Sequence, residues 1–434
     1  MLMDRRTSMK LLAAAALAPS LPSPARSDSA TLTPDDEAFL DDMQRRACLF
    51  FAEQAGAKSG QVLDRAEASS KGKLDSRRMA SIACTGFGLS ALCIADQRGY
   101  QPHVQVIEQV RRTLRFHCNT MPHEHGFFYH FTDIDTGARW KDTEVSSIDT
   151  ALLLCGVLTA RAYFSTDSEI QQLATAIYNR VDWPWMLNGG AAFDMGWKPE
   201  GGFLKARWNH YCELMMIYLL AIGSPTHPVD PACWDAFTRP SITYAGFTYI
   251  SAADPLFVHQ YSHAWFDFRH KRDKYADYFA NSILASRAHE AFCINLGKPY
   301  SVDYWGISAS DSQHGYTAWG GPGVRGNGTT QGFGGIDGSV VPYATAGSLP
   351  FLPTDCLRVQ RSLKDRYDKS AWGRYGFCDA FHPDAHWYDP DVLGIDLGIG
   401  VLMAENLRTG FMWEIFARNP EVGNAMQRAG FHAI

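Results

Sequence analysis

Two glutamates stand out by their surroundings. Glu213 lies in Trp208-Asn209-His210-Tyr211-Cys212-Glu213-Leu214-Met215-Met216-Ile217, an apolar stretch with the pattern of a helix. A carboxyl buried there loses the hydration of its charged form. Its pKa then rises towards neutrality, as a general acid working near pH 7 requires. The structural alternative is a glutamate paired inside the core or facing solvent at the helix start. Glu144 opens Glu144-Val145-Ser146-Ser147-Ile148-Asp149-Thr150-Ala151, where a polar loop end turns into an Ala/Leu-rich run with the pattern of a buried helix. Ser146 and Asp149 have capping-box spacing, which accounts for both through the free N–H groups of a helix start. Glu144 lies outside that pattern. Upstream, Gly126-Phe127-Phe128-Tyr129-His130-Phe131 alternates like a strand, and Asp133, Asp135, Arg139, Trp140 and Asp142 follow it. Carboxylates, an arginine and aromatics at this density suit a neutral polar ligand such as a sugar. Paired carboxylates suit glycoside hydrolysis, one protonating the leaving oxygen while the other activates water or attacks the sugar. The 12 tryptophans and 18 tyrosines offer stacking faces for pyranose rings, although many must serve as core.

Other chemistries find less support. His123-Glu124-His125 and the pair His259 and His263 lack the HExxH spacing or a third ligand, so no metal site is expected. The glycine-rich stretch from Gly320 to Gly338 lacks the Gly-Lys-Ser/Thr ending of a phosphate loop and suits a long loop over a site mouth. No Gly-x-Ser-x-Gly elbow is present. The ten cysteines form no CxxC pair, which argues against structural zinc and for buried free thiols, with one or two disulfides left open.

The elements that must position these residues are mostly helical. Apolar residues recur at spacings of three and four near 36–55, 79–98, 103–118, 146–163, 168–180, 208–222, 272–294, 354–368, 397–407 and 409–417. No fixed period links them, which excludes a regular solenoid. Helices in pairs, with chemistry in the connecting loops, predict an all-α fold. Its form is an α/α toroid with minor β-hairpins at 127–132 and 244–250 on one rim. Asp4-Arg5-Arg6-Thr7-Ser8-Met9-Lys10, a short apolar run and Ser23-Pro24-Ala25 form a twin-arginine signal peptide over 1–25. A disordered linker over 26–35 and a single catalytic domain over 36–434 follow. The expected location is periplasmic or secreted, with the twin-arginine export machinery as a transient partner and no membrane insertion. Cleavage removes three basic residues and one acidic residue, leaving 37 against 45, a net charge of −8. Nucleic acid is therefore not an expected partner.

The chain resembles the glycoamylase-like family, which includes bacterial endo-β-1,2-glucanases and is related to the glucan-processing domain of cyclic β-1,2-glucan synthases. The resemblance runs from about residue 40 to the C-terminus. It rests on Thr85-Gly86-Phe87-Gly88-Leu89, the 126–131 and 144–151 segments, Tyr211-Cys212-Glu213 and Gly223-Ser224-Pro225-Thr226-His227-Pro228. It continues through His259-Gln260-Tyr261-Ser262-His263-Ala264-Trp265, Tyr304-Trp305-Gly306-Ile307-Ser308-Ala309-Ser310-Asp311 and Tyr375-Gly376-Phe377-Cys378-Asp379-Ala380-Phe381. It closes on Gly394-Ile395-Asp396-Leu397-Gly398 and Glu405-Asn406, with Leu397 and Ile399 where the family often carries Gln and Pro. The resemblance implies the (α/α)6 toroid, a β-glucan oligo- or polysaccharide substrate and no metal or organic cofactor. It places Glu144 and Glu213 at the family's acidic positions, with Asp142 and Asp149 as supports or alternatives. The expectation is an inverting hydrolase of β-1,2-glucan or a related β-glucan. Glu213 is the acid, and Glu144, or Asp142 beside it, orients or activates water. His130, Arg139, Trp208, His263, Trp305 and Asp396 are the expected sugar contacts. The alternatives are a retaining transglycosylase or glucosidase on the same fold, and a non-catalytic glucan-binding protein. A polysaccharide lyase, which needs a cationic cleft, fits the acidic chain less well.

Overall fold

Two kinds of helix follow from the residues. Amphipathic ones carry charges along one side: α1 (Pro34–Glu53), α3 (His103–Asn119), α5 (Ser168–Asn179) and α10 (Pro353–Ala371). Others are buried along nearly their whole length and carry few charges: α2 (Ile82–Gln97), α4 (Ser147–Tyr163), α7 (Met215–Gly223) and α11 (Gly394–Arg408). A helix apolar all round must be surrounded by other elements, so the second kind belongs inside the first. The short helices α6 (Trp183–Leu187), α9 (Pro342–Ala346), α12 (Phe411–Ala417) and α13 (Pro420–Arg428), and the longer α8 (Tyr278–Asn295), complete the set. The computed structural model describes residues 31–252, 255–322 and 336–434. The twin-arginine segment, the first half of the linker and the centre of the glycine-rich loop lie outside the described residues.

Helices begin where capping predicts. Thr33 and Asp36 form a reciprocal capping box ahead of Pro34, and Asp167 and Asp277 accept first-turn N–H groups of α5 and α8. The inner helix α2 packs on α1, α4 and α11, while α4 also meets α5, α7 and α12. The chain's first helices thus meet its late ones, with α1 and α2 against α11. An antiparallel pair, Arg65–Glu67 on Asp391–Leu393, makes the same join, and Gly394 N–H donates to the Asp64 carbonyl at 2.8 Å. A continuous apolar core runs from Phe39 to Met426.

The expected strand pieces are present as parts of short pairs. Phe127–Phe128 pairs with His123–Glu124, Phe131–Asp133 with Met79–Ser81, and Phe247–Ile250 with Ser241–Tyr244. Several further two-residue pairs and one three-stranded sheet, Val145–Ser146, Gly196–Lys198 and Gly202–Phe203, brace the loops that feed the inner helices. One helix expectation is corrected. The 208–222 segment does not start as a helix at Trp208, because residues 208–214 are held in turns by bonds to other segments, such as Tyr211 N–H to the Thr238 carbonyl. All ten cysteines are free thiols, nine of them buried and Cys118 half-buried. No helix among the described residues is long and apolar enough to cross a membrane.

The inner helices approach closely because two glycines face each other. A Cβ on Gly86 of α2 would stand 2.3 Å from the Leu152 carbonyl oxygen, and one on Gly156 of α4 would stand 2.0 Å from the Gly86 carbonyl oxygen. Backbone cannot yield locally, so either methyl forces the helices apart. Gly156→Ala should cost about 1–3 kcal/mol or more. In urea titration this should appear as a lower midpoint at unchanged slope.

Candidate active site

Glu213 sits in the turn just ahead of α7, not within a helix. Ser262 fixes that turn by donating its hydroxyl to the Glu213 carbonyl at 2.7 Å while accepting from Met216 N–H at 3.2 Å. The carboxyl itself is only partly exposed. Burial pushes its pKa up to about 7, against small opposing bonds from its own N–H and the Cys212 thiol, and the negative Asp149 nearby adds to the rise.

Asp149 links Glu213 to a second group. Ser146, the N-cap of α4, donates its hydroxyl to Asp149 Oδ2 at 2.5 Å and accepts the Asp149 N–H at 3.3 Å, the predicted cap. His130 Nδ1 lies 3.1 Å from Glu144 Oε1, and its Nε2 lies 3.5 Å from Asp149 Oδ2. Burial alone would lower the His130 pKa, but Asp149 and Glu144 outweigh it and raise it to about 9. The imidazolium in turn holds Glu144 below the usual glutamate range, chiefly through the hydrogen bond. Glu144 and His130 therefore form an ion pair beside Asp149 and beside a Glu213 that titrates at about 7.

A third group joins from the other side. Arg65 bridges Asp64 at 3.1 Å and Asp311 at 2.5 Å. The Asp311 N–H donates to Asp379 Oδ2 at 2.8 Å, and Asp379 stands against Asp396 in the first turn of α11. Neither oxygen of Asp396, which is 4% exposed, has a hydrogen-bond partner among the described residues other than Asp379. Burial raises both carboxyls; the Asp379 charge raises Asp396 further, while the hydrogen bond from Asp396 works to lower Asp379, so the two titrate as a pair sharing a proton. Asp389, next along, is raised to about 8 by burial and by Asp379. Buried Tyr261 lies within electrostatic range of both Asp396 and Glu213. Behind Asp379 and Asp396 a cavity of about 40 Å³, also lined by Gln360, Tyr343 and Tyr375, has room for water.

Several expected residues lie elsewhere. The Asp142 side chain is 88% exposed and pairs with Lys198 at 3.9 Å, with Arg139 in electrostatic range, so it is not part of the cluster. Arg139 is committed to Glu200 at 2.7 Å and packs over Tyr129. Trp208 is buried and donates its Nε1–H to Ser147 at 2.8 Å. His263 is bonded to Ser282 inside the core, where burial drops its pKa to about 3, and Trp305 is wholly buried. These three are core residues because their rings fill space beneath the inner helix ends. Asp64, Asp311 and Asp379, and Tyr316, an exposed ring beside them, are the residues the sequence reading did not single out. Asp311 closes one of the motifs behind the family resemblance and Asp379 lies within another, which was the available signal. Among the described residues, Asp311, Asp389 and Asp391 are the group spaced to hold a metal ion.

The family model named Glycoamylase, described as "Putative glucoamylase", matches residues 205–420. The chain is glycoamylase-like. It is similar to an exo beta-1,2-glucooligosaccharide sophorohydrolase (non-reducing end) of Parabacteroides distasonis, at 27% identity over 92% of this chain. The match spans 59% of that relative's length. Among solved structures, an endo-beta-1,2-glucanase from Chitinophaga pinensis in complex with sophorotriose and glucose superposes with a TM-score of 0.83 at 25% identity, covering 93% of this chain and 99% of that one. A putative glucoamylase from Bacteroides caccae superposes with a TM-score of 0.81 at 29% identity, covering 92% and 100%. The helix-rich fold of this glycoamylase-like chain is thus that of the glucanase structures.

The His130 shift has a sign that can be measured. With a folded pKa near 9 against about 6.5 unfolded, the imidazolium's contribution to stability is fully present below about pH 6.5 and fades as pH rises through about 9. His130→Asn should abolish that slope in urea titrations between pH 6 and about 9.5.

Proposed function

We propose that this chain is an exported glycoside hydrolase that cleaves β-1,2-glucan with inversion on an (α/α)6 toroid. The raised Glu213 carboxyl at the acidic mouth carries the proposal, since a carboxyl protonated near pH 7 beside ionised ones is the acid an inverting pair needs. The substrate class rests on the two relatives whose names state β-1,2-glucan chemistry. The toroid is supported by buried helices inside amphipathic ones and by the join of α1 and α2 to α11. Export rests on the twin-arginine pattern, and a single catalytic domain on the continuous core.

In this reading Glu213 gives its proton to the glycosidic oxygen as the bond from that oxygen to C1 breaks. Water attacks C1 from the opposite face and loses a proton to a carboxylate there. Glu144 is poorly placed for that second task, because His130 occupies its oxygen. The Asp379–Asp396 pair, singly protonated, retains one negative charge and offers open oxygens to water. It takes the base role, while the Glu144–His130–Asp149 triplet keeps Glu213 protonated and positioned. Tyr316 supplies an exposed ring for a pyranose beside the pair.

The test is hydrolysis of linear β-1,2-glucan followed by NMR. Initial release of the α-anomer is expected. Initial β-anomer would replace inversion with retention, and no product from β-1,2-, β-1,3- or β-1,4-glucan would leave only a binding role. Glu213→Gln and Asp396→Asn should each lower turnover by about 10²–10⁴-fold, whereas Asp142→Asn should leave it near wild type.

A further inference from the structure

The negative charge gathered around the third group exceeds what its arginines offset. Asp64, Asp311, Asp379, Asp389, Asp391 and Asp396 interact with one another, and among the described residues Arg65 and Arg77 are the cations paired with members of the set. Six carboxyls thus share two arginines there. Arg77 is further divided, since it also binds Asp75 at 2.6 Å. Burying like charges without a counter-ion is costly, and the strain converges on Asp389. That residue is 5% exposed; its Oδ1 accepts the Asp391 N–H at 3.0 Å, while its Oδ2 is buried with no partner among the described residues.

The oxygens around this orphan have the spacing of a hard-cation shell. One oxygen each from Asp311, Asp389 and Asp391 lie within 4.8 Å of one another. Ligands about 2.3–2.6 Å from a calcium ion are separated by distances up to about twice that, so the three can share one ion. All three ligands are carboxylate oxygens, the set that hard divalent cations prefer to softer metals. Asp389 and Asp391 also line a surface groove with Arg77, Trp372 and Tyr388, which supplies an entry path and room for water ligands.

We propose that Asp311, Asp389 and Asp391 form a structural site for one divalent cation of the calcium class. The ion would tie two segments together, the one ending in Asp311 and the 389–391 stretch. Asp311 follows the strand Ala309–Ser310, Asp391 begins the strand paired with Arg65–Glu67, and Asp389 lies between Asp391 and the Asp379 segment. Its role is to hold Asp379 and Asp396 in place, not to touch substrate.

The purified chain, stripped with a chelator, is titrated with Ca²⁺ and, in parallel, with Tb³⁺ while tryptophan-sensitised emission is followed. One ion per chain should bind with a Kd of about 10⁻⁴–10⁻³ M or tighter, and saturating Ca²⁺ should raise Tm by about 3 °C or more. Asp389→Asn should stay folded without the ion, since it replaces a buried carboxyl whose charged form burial and Asp379 already disfavour, and should lose at least about tenfold in affinity together with the Tm response. Trp372→Phe should keep the Ca²⁺ response but cut the Tb³⁺ emission. Absence of binding or of a Tm response in the wild-type chain at about 5 mM Ca²⁺ would overturn the proposal, as would an undiminished response in Asp389→Asn.

Discussion

The whole site depends on where negative charge can be tolerated in a buried place. Asp149 and Asp396 stand in the first turns of α4 and α11, and Glu213 stands immediately before α7. A helix start presents unpaired N–H groups and the positive end of its dipole, so it is the one part of an apolar helix that welcomes a carboxylate. Away from this end buried helices must give an acid a cation, as α11 does where Glu405, 1% exposed, pairs with Arg98 at 2.9 Å. The loops that feed them must bring the partners, and they do so through short strand pairs that fix His130 and Glu144 beside Asp149.

Crowding then separates the carboxyls by environment. Glu144 and Asp149 have an imidazolium between them, whereas Glu213 has little but apolar surroundings and a negative neighbour. Asp379 and Asp396 have each other. Acids of nearly equal intrinsic strength thus hold different protonation states within one mouth. The close crossing of α2 and α4 through Gly86 and Gly156 keeps these starts in register, because neither helix can shift without a backbone collision.

Much of this was legible in the residues. Apolar spacing located α1 to α5, α8 and α10 to α12 within a few residues, because long helices with a repeated pattern carry their own signal. The short elements α9 and the 3-10 turns Leu256–His259 and Tyr261–Ala264 were not, since one turn offers no period. Glu213 was found from its apolar setting, but its start of helix was misplaced by tertiary bonds to Thr238 and Ser262. Asp142 and Trp208 show the other limit: proximity in sequence to a site says nothing of which way a side chain points. Asp64, Asp311 and Asp379 come together only through long-range contacts, such as Arg65 with Asp311 and Asp311 with Asp379.

The thiols add a property of another kind. Cys84 and Cys93 lie on α2, Cys155 on α4, Cys293 on α8 and Cys356 on α10, all buried, with burial raising each thiol's pKa. A thiol that is both shielded and protonated reacts only when its helix opens to solvent. The chain therefore carries its own reporters of partial unfolding, spread over inner and outer helices, and the order in which they are alkylated would map which layer loosens first.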